Sequence, residues 1–111
     1  MMQRLATFSV DDIAFDPKAV GNSLNERCNE GRNKYYVRGA CQTEGVVHFV
    51  LLPRPEHREE ETYVLAPLSE DVTPEGVEAE LAERWSAGFD TIATINLGRA
   101  RYYALFARVS R

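Results

Sequence analysis

Long apolar runs are missing from this chain. Nowhere in its 111 residues do 18 apolar positions stand together, which excludes a membrane-spanning helix. Cysteine is scarce as well. Cys28 and Cys41 form no C-x-x-C pair, and two cysteines do not make a disulfide framework, so both are expected as reduced, packed thiols. The opening stretch MMQRLATFSVDD turns acidic too early, and its apolar part is too short, for a signal peptide. A cytoplasmic protein is the expectation. An excess of basic charge is absent too: the net charge is −4. Residues 1–55 carry seven basic and six acidic side chains, and residues 56–111 carry six and eleven. Such a chain has no general attraction to phosphate backbones, so nucleic acid is not expected as a partner. Also missing are the phosphate-cradling G-x-x-x-x-G-K-[ST], the dinucleotide G-x-G-x-x-G, the G-x-S-x-G elbow and H-E-x-x-H.

What is present is a repeat. Residues 24–31 read LNERCNEG and residues 81–88 read LAERWSAG, four identities in eight positions at an offset of 57. At that offset Pro17 also meets Pro74 and Val20 meets Val77. Further on the offset becomes 54, where HFVLLPR (48–54) matches YYALFAR (102–108). Each copy has the same order of signals. An alternating apolar segment, LATFSV or YVLAPL, is followed by a polar stretch ending in Asp16-Pro17 or Thr73-Pro74. Those pairs read as an N-cap and a first-turn proline. Val20, Leu24 and Cys28 then recur every four residues, as do Val77, Leu81 and Trp85, one helix stripe per copy. Gly31 and Gly88 stop the helices. Two strands close each copy. The expected fold is α+β: a tandem duplication of a β-α-β-β unit, with a mainly antiparallel sheet and both helices on one face. Repeats 4–54 and 62–109, joined by the charged linker 55–61, are expected to form a single domain 1–111, because about 50 residues rarely fold alone.

The hairpins predict the faces. A three-residue loop at Thr43-Glu44-Gly45 pairs Val37 with Leu51 and Gly39 with Phe49. A two-residue loop at Gly98-Arg99 pairs Ile92 with Leu105 and Thr94 with Tyr103. Strand side chains alternate, so Tyr35, Val37, Phe49 and Leu51, with Ile92, Thr94, Tyr103 and Leu105, are expected beneath the helices. The opposite face then carries Tyr36, Arg38, His48, Val50 and Leu52, with Ala93, Ile95, Tyr102, Ala104 and Phe106. A solvated sheet face is normally polar. This one is largely apolar, which calls for a cover: a second subunit, the sheet's own curl, or a ligand.

The second copy, LAERWSAGFDTIATINLGRARYYALFAR, resembles a small uncharacterised bacterial domain family with a strand–helix–strand–strand unit and a helix-end signature like L-x-x-x-G-A-E-G-W-E-L-V. Here W-S-A-G-F-D-T-I (85–92) stands in that place, with Phe89 at the aromatic position and Asp90 at the acidic one. The first copy departs from it, with Arg32 at the aromatic position. The resemblance implies a fold and no activity, and no site residue carries over. In layout the duplication is also similar to effector-binding domains like the gyrase inhibitory protein, which hold amphipathic small molecules between their copies.

Few side chains invite chemistry. In the predicted register Cys41 and His48 point to opposite faces, so they form no nucleophile–base pair. EHREEE (56–61) lacks the ligand spacing of a metal site and reads as a solvated charge run. GRARYY (98–103) mixes arginine with aromatics as single-strand binders do, but Arg99 and Arg101 sit at a hairpin tip, where charge is expected anyway. Helix-two acids Glu75, Glu78, Glu80 and Glu83 read as a solvated face. Trp85 reads as core on the stripe, or as the wall of a groove between the copies. His48 reads as a half-buried packed histidine or as a polar handle in an apolar face. The expectation is a non-enzymatic interaction module without metal or cofactor, homodimeric through the apolar sheet face. The alternative is a binding domain for a small amphipathic ligand in the groove between the repeats. The residues expected at the ligand or interface surface are Tyr36, Arg38, His48, Val50, Trp85, Ile95, Tyr102 and Phe106.

Overall fold

The computed structural model describes residues 3–68, 73–98 and 101–109. Their order is β1 (Arg4–Ser9), α1 (Val10–Phe15), α2 (Pro17–Asn29), β2 (Tyr35–Thr43), β3 (Val46–Pro53), β4 (Glu61–Pro67), α3 (Pro74–Ser86), β5 (Asp90–Asn96) and β6 (Tyr102–Val109). The α+β class and the duplicated strand–helix–strand–strand unit stand. Each unit folds into its own three-stranded antiparallel sheet, β1-β3-β2 and β4-β6-β5. The first unit adds α1 where the sequence suggested only a polar stretch. Ser9 Oγ accepts the Asp12 N–H at 3.1 Å to start that helix, and Ile13 anchors it in the core.

The helix signals act where they were read. Asp16 Oδ1 accepts the Ala19 N–H at 3.1 Å, and Thr73 Oγ1 accepts the Gly76 N–H at 3.1 Å. Each meets one of the unpaired donors of a first turn, with proline following. Beyond the helices, Gly31 and Gly88 take φ of +73° and +89°, the left-handed region glycine enters without strain.

The register is half as expected. Val37 faces Leu51, but a bulge follows, and Gly39 then faces Val50 and Ala40 faces Phe49. In the second hairpin Thr91 faces Phe106, a bulge follows, and Ala93 then faces Leu105, Thr94 faces Ala104 and Ile95 faces Tyr103. An extra residue in one strand shifts every pair beyond it by one. The first loop is also shorter than expected. Thr43 faces Val46, leaving a two-residue turn at Glu44-Gly45. In the second hairpin the Leu97 N–H donates to the Arg101 carbonyl, and the turn expected at Gly98-Arg99 lies in part outside the described residues.

One core joins the repeats. Val20, Leu24 and Cys28 of α2 pack with Val37, Phe49 and Leu51 of the first sheet and with Tyr63, Leu65, Leu105 and Ala107 of the second. A second cluster lies on the other face of β6, where Ala104 and Phe106 meet Val77 and Leu81 of α3. So the helices do not share one sheet face, as the sequence had suggested. Helix α2 sits in the shared core, and α3 covers the outer face of the second sheet.

Two positions account for the asymmetry. A Cβ on Gly21 would stand 3.2 Å from the Leu65 nitrogen and 3.3 Å from the Tyr63 carbonyl oxygen, so α2 lies tight against the backbone of β4. Four residues on, the Asn25 side chain pairs with that same edge. Its Nδ2 donates to the Tyr63 carbonyl at 3.1 Å, and its Oδ1 accepts the Tyr63 N–H at 2.6 Å. The positions 57 residues later are Glu78 and Ala82. Glu78 leaves no room for such an approach and Ala82 cannot make such a pair, so α3 cannot dock in the manner of α2.

The stripe of α3 is also shorter than expected. Val77 and Leu81 are half-buried, but Trp85 is 69% exposed. Arg84 takes the place over the sheet instead, its guanidinium carbon 4.9 Å from the Phe106 ring centroid. Trp85→Ala is therefore expected to cost less than about 1 kcal/mol in urea unfolding, against the 3–5 kcal/mol or so of a buried aromatic.

Candidate interaction surface

The outer face of the first sheet is built by three strands. β1 contributes Leu5 and Thr7, β3 contributes Val46, His48, Val50 and Leu52, and β2 contributes Tyr36, Gly39, Cys41 and Thr43, as the pairings Leu5–Val50, Thr7–His48, Cys41–His48 and Tyr36–Leu52 require. The inner face is buried in the shared core. Among the described residues no helix packs on the outer face: the helix contacts of this sheet run through its core side. Leu5 is 58% exposed, and Tyr36, Val50 and Leu52 are half-buried. The Tyr36 end has a lid, where the linker residue Arg58 stacks 4.0 Å from the ring centroid and its Nη2 donates to Glu61 Oε1 at 3.1 Å.

A polar knot sits inside this apolar surface. His48 Nδ1 and Thr7 Oγ1 lie 2.8 Å apart, and His48 Nε2 and Thr43 Oγ1 lie 3.4 Å apart. Cys41 lies directly across from His48. The expectation that they point to opposite faces is thus overturned. The bulge at Arg38 moves the register by one and sets both on the outer face. The two threonines flank the ring, one near each nitrogen.

The two thiols differ sharply. Burial pushes the Cys28 thiol up to about 11, with Glu61 adding to the rise and Arg54 opposing it. Cys41 is exposed. At pH 8 Cys28 stays protonated and screened, so a disulfide reagent is expected to titrate one thiol per native chain and two after denaturation. Two fast thiols in the native protein would contradict this placement.

The remaining expected surface residues divide. Arg38, in the bulge, is exposed beside the first-sheet face. Ile95 and Phe106 are core residues, 2% and 1% exposed. Ile95 left the predicted face because of the bulge at Ile92, and Phe106 is on its predicted face but α3 covers it. Tyr102 is half-buried and lines a cleft of about 480 Å³ with Leu68, Pro74, Val77 and Thr94 beneath the start of α3. Trp85 stands apart on α3. The structure therefore gathers Tyr36, His48 and Val50 on one surface and disperses the rest. Leu5 was missed by the sequence reading, although its place in the alternating segment LATFSV already set it opposite Ala6 and Phe8.

The buried Tyr63 hydroxyl also ties the repeats. It accepts the Val37 N–H at 2.9 Å, and burial raises its pKa well above the ordinary tyrosine range. The linker stretch brings no metal cluster: among the described residues no three His, Cys, Asp or Glu side chains converge. No described helix is long and apolar enough to cross a membrane. No protein-family model, curated protein or solved structure matches the chain.

Proposed function

We propose that the chain is a cytoplasmic, non-enzymatic interaction module that self-associates as a homodimer through the outer face of its first sheet. The observation that carries this is an inequality between the repeats. The outer face of the second sheet, with Ala104 and Phe106, is covered by α3, while Leu5, Val50 and Leu52 in the first sheet have no such helix over them among the described residues. Contiguous apolar surface of this kind marks interaction sites. Three strands about 4.8 Å apart and about eight residues long project roughly 370 Å². That is small beside the ~800 Å² per partner of a standard interface, so this contact alone is weak and concentration-dependent.

Sedimentation velocity across a concentration series tests the proposal with Val50→Glu, a half-buried position outside the core. The wild-type chain is expected to associate, and the charge opposite a second apolar sheet to weaken that step at least about tenfold. Equal association of both proteins sinks the reading. The cleft beneath α3 favours a second reading, a site for a small amphipathic ligand. It lies within the second repeat, not between the repeats. Its signature would be a monomer that takes up one equivalent of an apolar dye and loses it on Tyr102→Ala.

A further inference from the structure

Sheets expose unpaired backbone at their edges, and proteins usually block them. Here three of the four sheet edges meet groups of the chain itself. The β4 edge is taken by Asn25 of α2, which pairs with both backbone groups of Tyr63. The β5 edge is taken by Gln42 of β2: its Nε2 donates to the Asn96 carbonyl at 2.6 Å and its Oε1 accepts the Asn96 N–H at 3.0 Å. Each carboxamide stands in for a length of neighbouring strand. The β2 edge lies along β5 through that same Gln42, and its Val37 N–H goes to the Tyr63 hydroxyl. The β1 edge is the exception: among the described residues no side chain from another element pairs with it.

The register tells which groups that edge offers. Thr43 and Val46 close the two-residue turn, so they form a hydrogen-bonded pair. By alternation Val46, His48 and Val50 direct their backbone groups to β2, and Val47, Phe49 and Leu51 direct theirs to β1. Their partners there are Phe8, Ala6 and Arg4. The N–H and carbonyl groups of Leu5 and Thr7 therefore point outward.

We infer that β1 is a strand-addition edge and that its occupant is β1 of a second copy, paired antiparallel about a two-fold axis at Ala6. That axis sets Leu5 opposite Thr7 of the second copy, twice, and joins the four outward groups on each side in hydrogen bonds. It brings no like charges face to face, since Arg4 meets Phe8. It also gives the 58% exposed Leu5 side chain a neighbour. The areas point the same way. The open face is too small for a firm dimer, and pairing two β1 edges joins two such faces into one six-stranded surface of roughly 740 Å². The inference rests on the reading that the chain self-associates, but it concerns a separate contact. Edge and face can be made at once, and the closed assembly is then a tetramer with dihedral symmetry.

The test combines Leu5→Pro with Val50→Glu in the full-length chain. Proline at position 5 removes an outward donor and breaks no ladder bond, so the variant is expected to keep the wild-type circular dichroism. Wild type is expected to reach a tetramer at high concentration, each single variant a dimer, and the double variant a monomer. Hydrogen exchange supplies the second readout: the Leu5 and Thr7 amides are expected to gain at least about tenfold protection on assembly, in wild type and Val50→Glu alike. A wild-type dimer that survives Leu5→Pro with both amides exchanging freely overturns the edge inference and leaves the face reading standing. An assembly that survives Val50→Glu but not Leu5→Pro supports the edge and overturns the face reading. A monomer at every concentration overturns both.

Discussion

Phe106→Ala is expected to lower the unfolding free energy by about 3–5 kcal/mol in urea melts. The ring is 1% exposed, packs in the cluster with Ala104 and Leu68, and carries the Arg84 guanidinium on one side. Truncation leaves a cavity between β6 and α3, a helix with no fully buried residue of its own. The helix can settle only partly into it. Against a total stability of about 5–15 kcal/mol this is a large share. The result matters because a bare sheet face would give the opposite outcome. If the second sheet's outer face were open, the loss would stay below about 1 kcal/mol. Paired with the small effect expected of Trp85→Ala, it shows which aromatic of the second repeat is core.

Asn25→Leu is expected to cost about 2–4 kcal/mol. Leucine keeps the same branched outline of side-chain heavy atoms and favours the helix, so a lower helix propensity does not account for the loss. The carboxamide meets both the N–H and the carbonyl of Tyr63 in a part-buried setting. Each group left without a partner costs about 1–3 kcal/mol, lessened where water reaches it. Opening this edge also loosens the seam between the repeats, because Tyr63 carries the hydroxyl that accepts the Val37 N–H. The Tyr63 amide is expected to exchange faster in Asn25→Leu than in wild type. A loss under about 0.5 kcal/mol with unchanged exchange would mean that Gly21 and the apolar contacts of α2 hold β4 without the pair.

What could be read in advance was local. The Asp16-Pro17 and Thr73-Pro74 caps, the two helix-ending glycines and the stripe Val20-Leu24-Cys28 depend on neighbours within one turn. The bulges at Arg38 and Ile92 do not. Each lies among residues that would suit an unbroken strand, and the shift follows from the pairing of whole strands. That shift set Cys41 opposite His48 and moved Ile95 into the core. The place of α3 was harder still to read. Val77, Leu81 and Trp85 have the spacing of a buried stripe, but how much of a stripe is covered depends on where the helix lies. That is decided by Gly21 and Asn25 in the other repeat and by their counterparts Glu78 and Ala82. On the candidate surface, Tyr36, His48 and Val50 followed from alternation alone, whereas the burial of Phe106 needed the position of a distant helix.

The outer face of the first sheet is the proposed contact surface. Cys41 reports on it directly, because it lies on that face opposite His48 while Cys28 is buried and its thiol pushed up to about 11. The measurement is the rate of Cys41 modification by a disulfide reagent as protein concentration rises. The edge contact at β1 leaves Cys41 uncovered, since β3 separates the two strands. Face contact shields it. The account predicts a rate that falls at least about tenfold as the chain associates, and that stays fast in Val50→Glu. A rate independent of concentration, in protein shown by sedimentation to be associated, would contradict it.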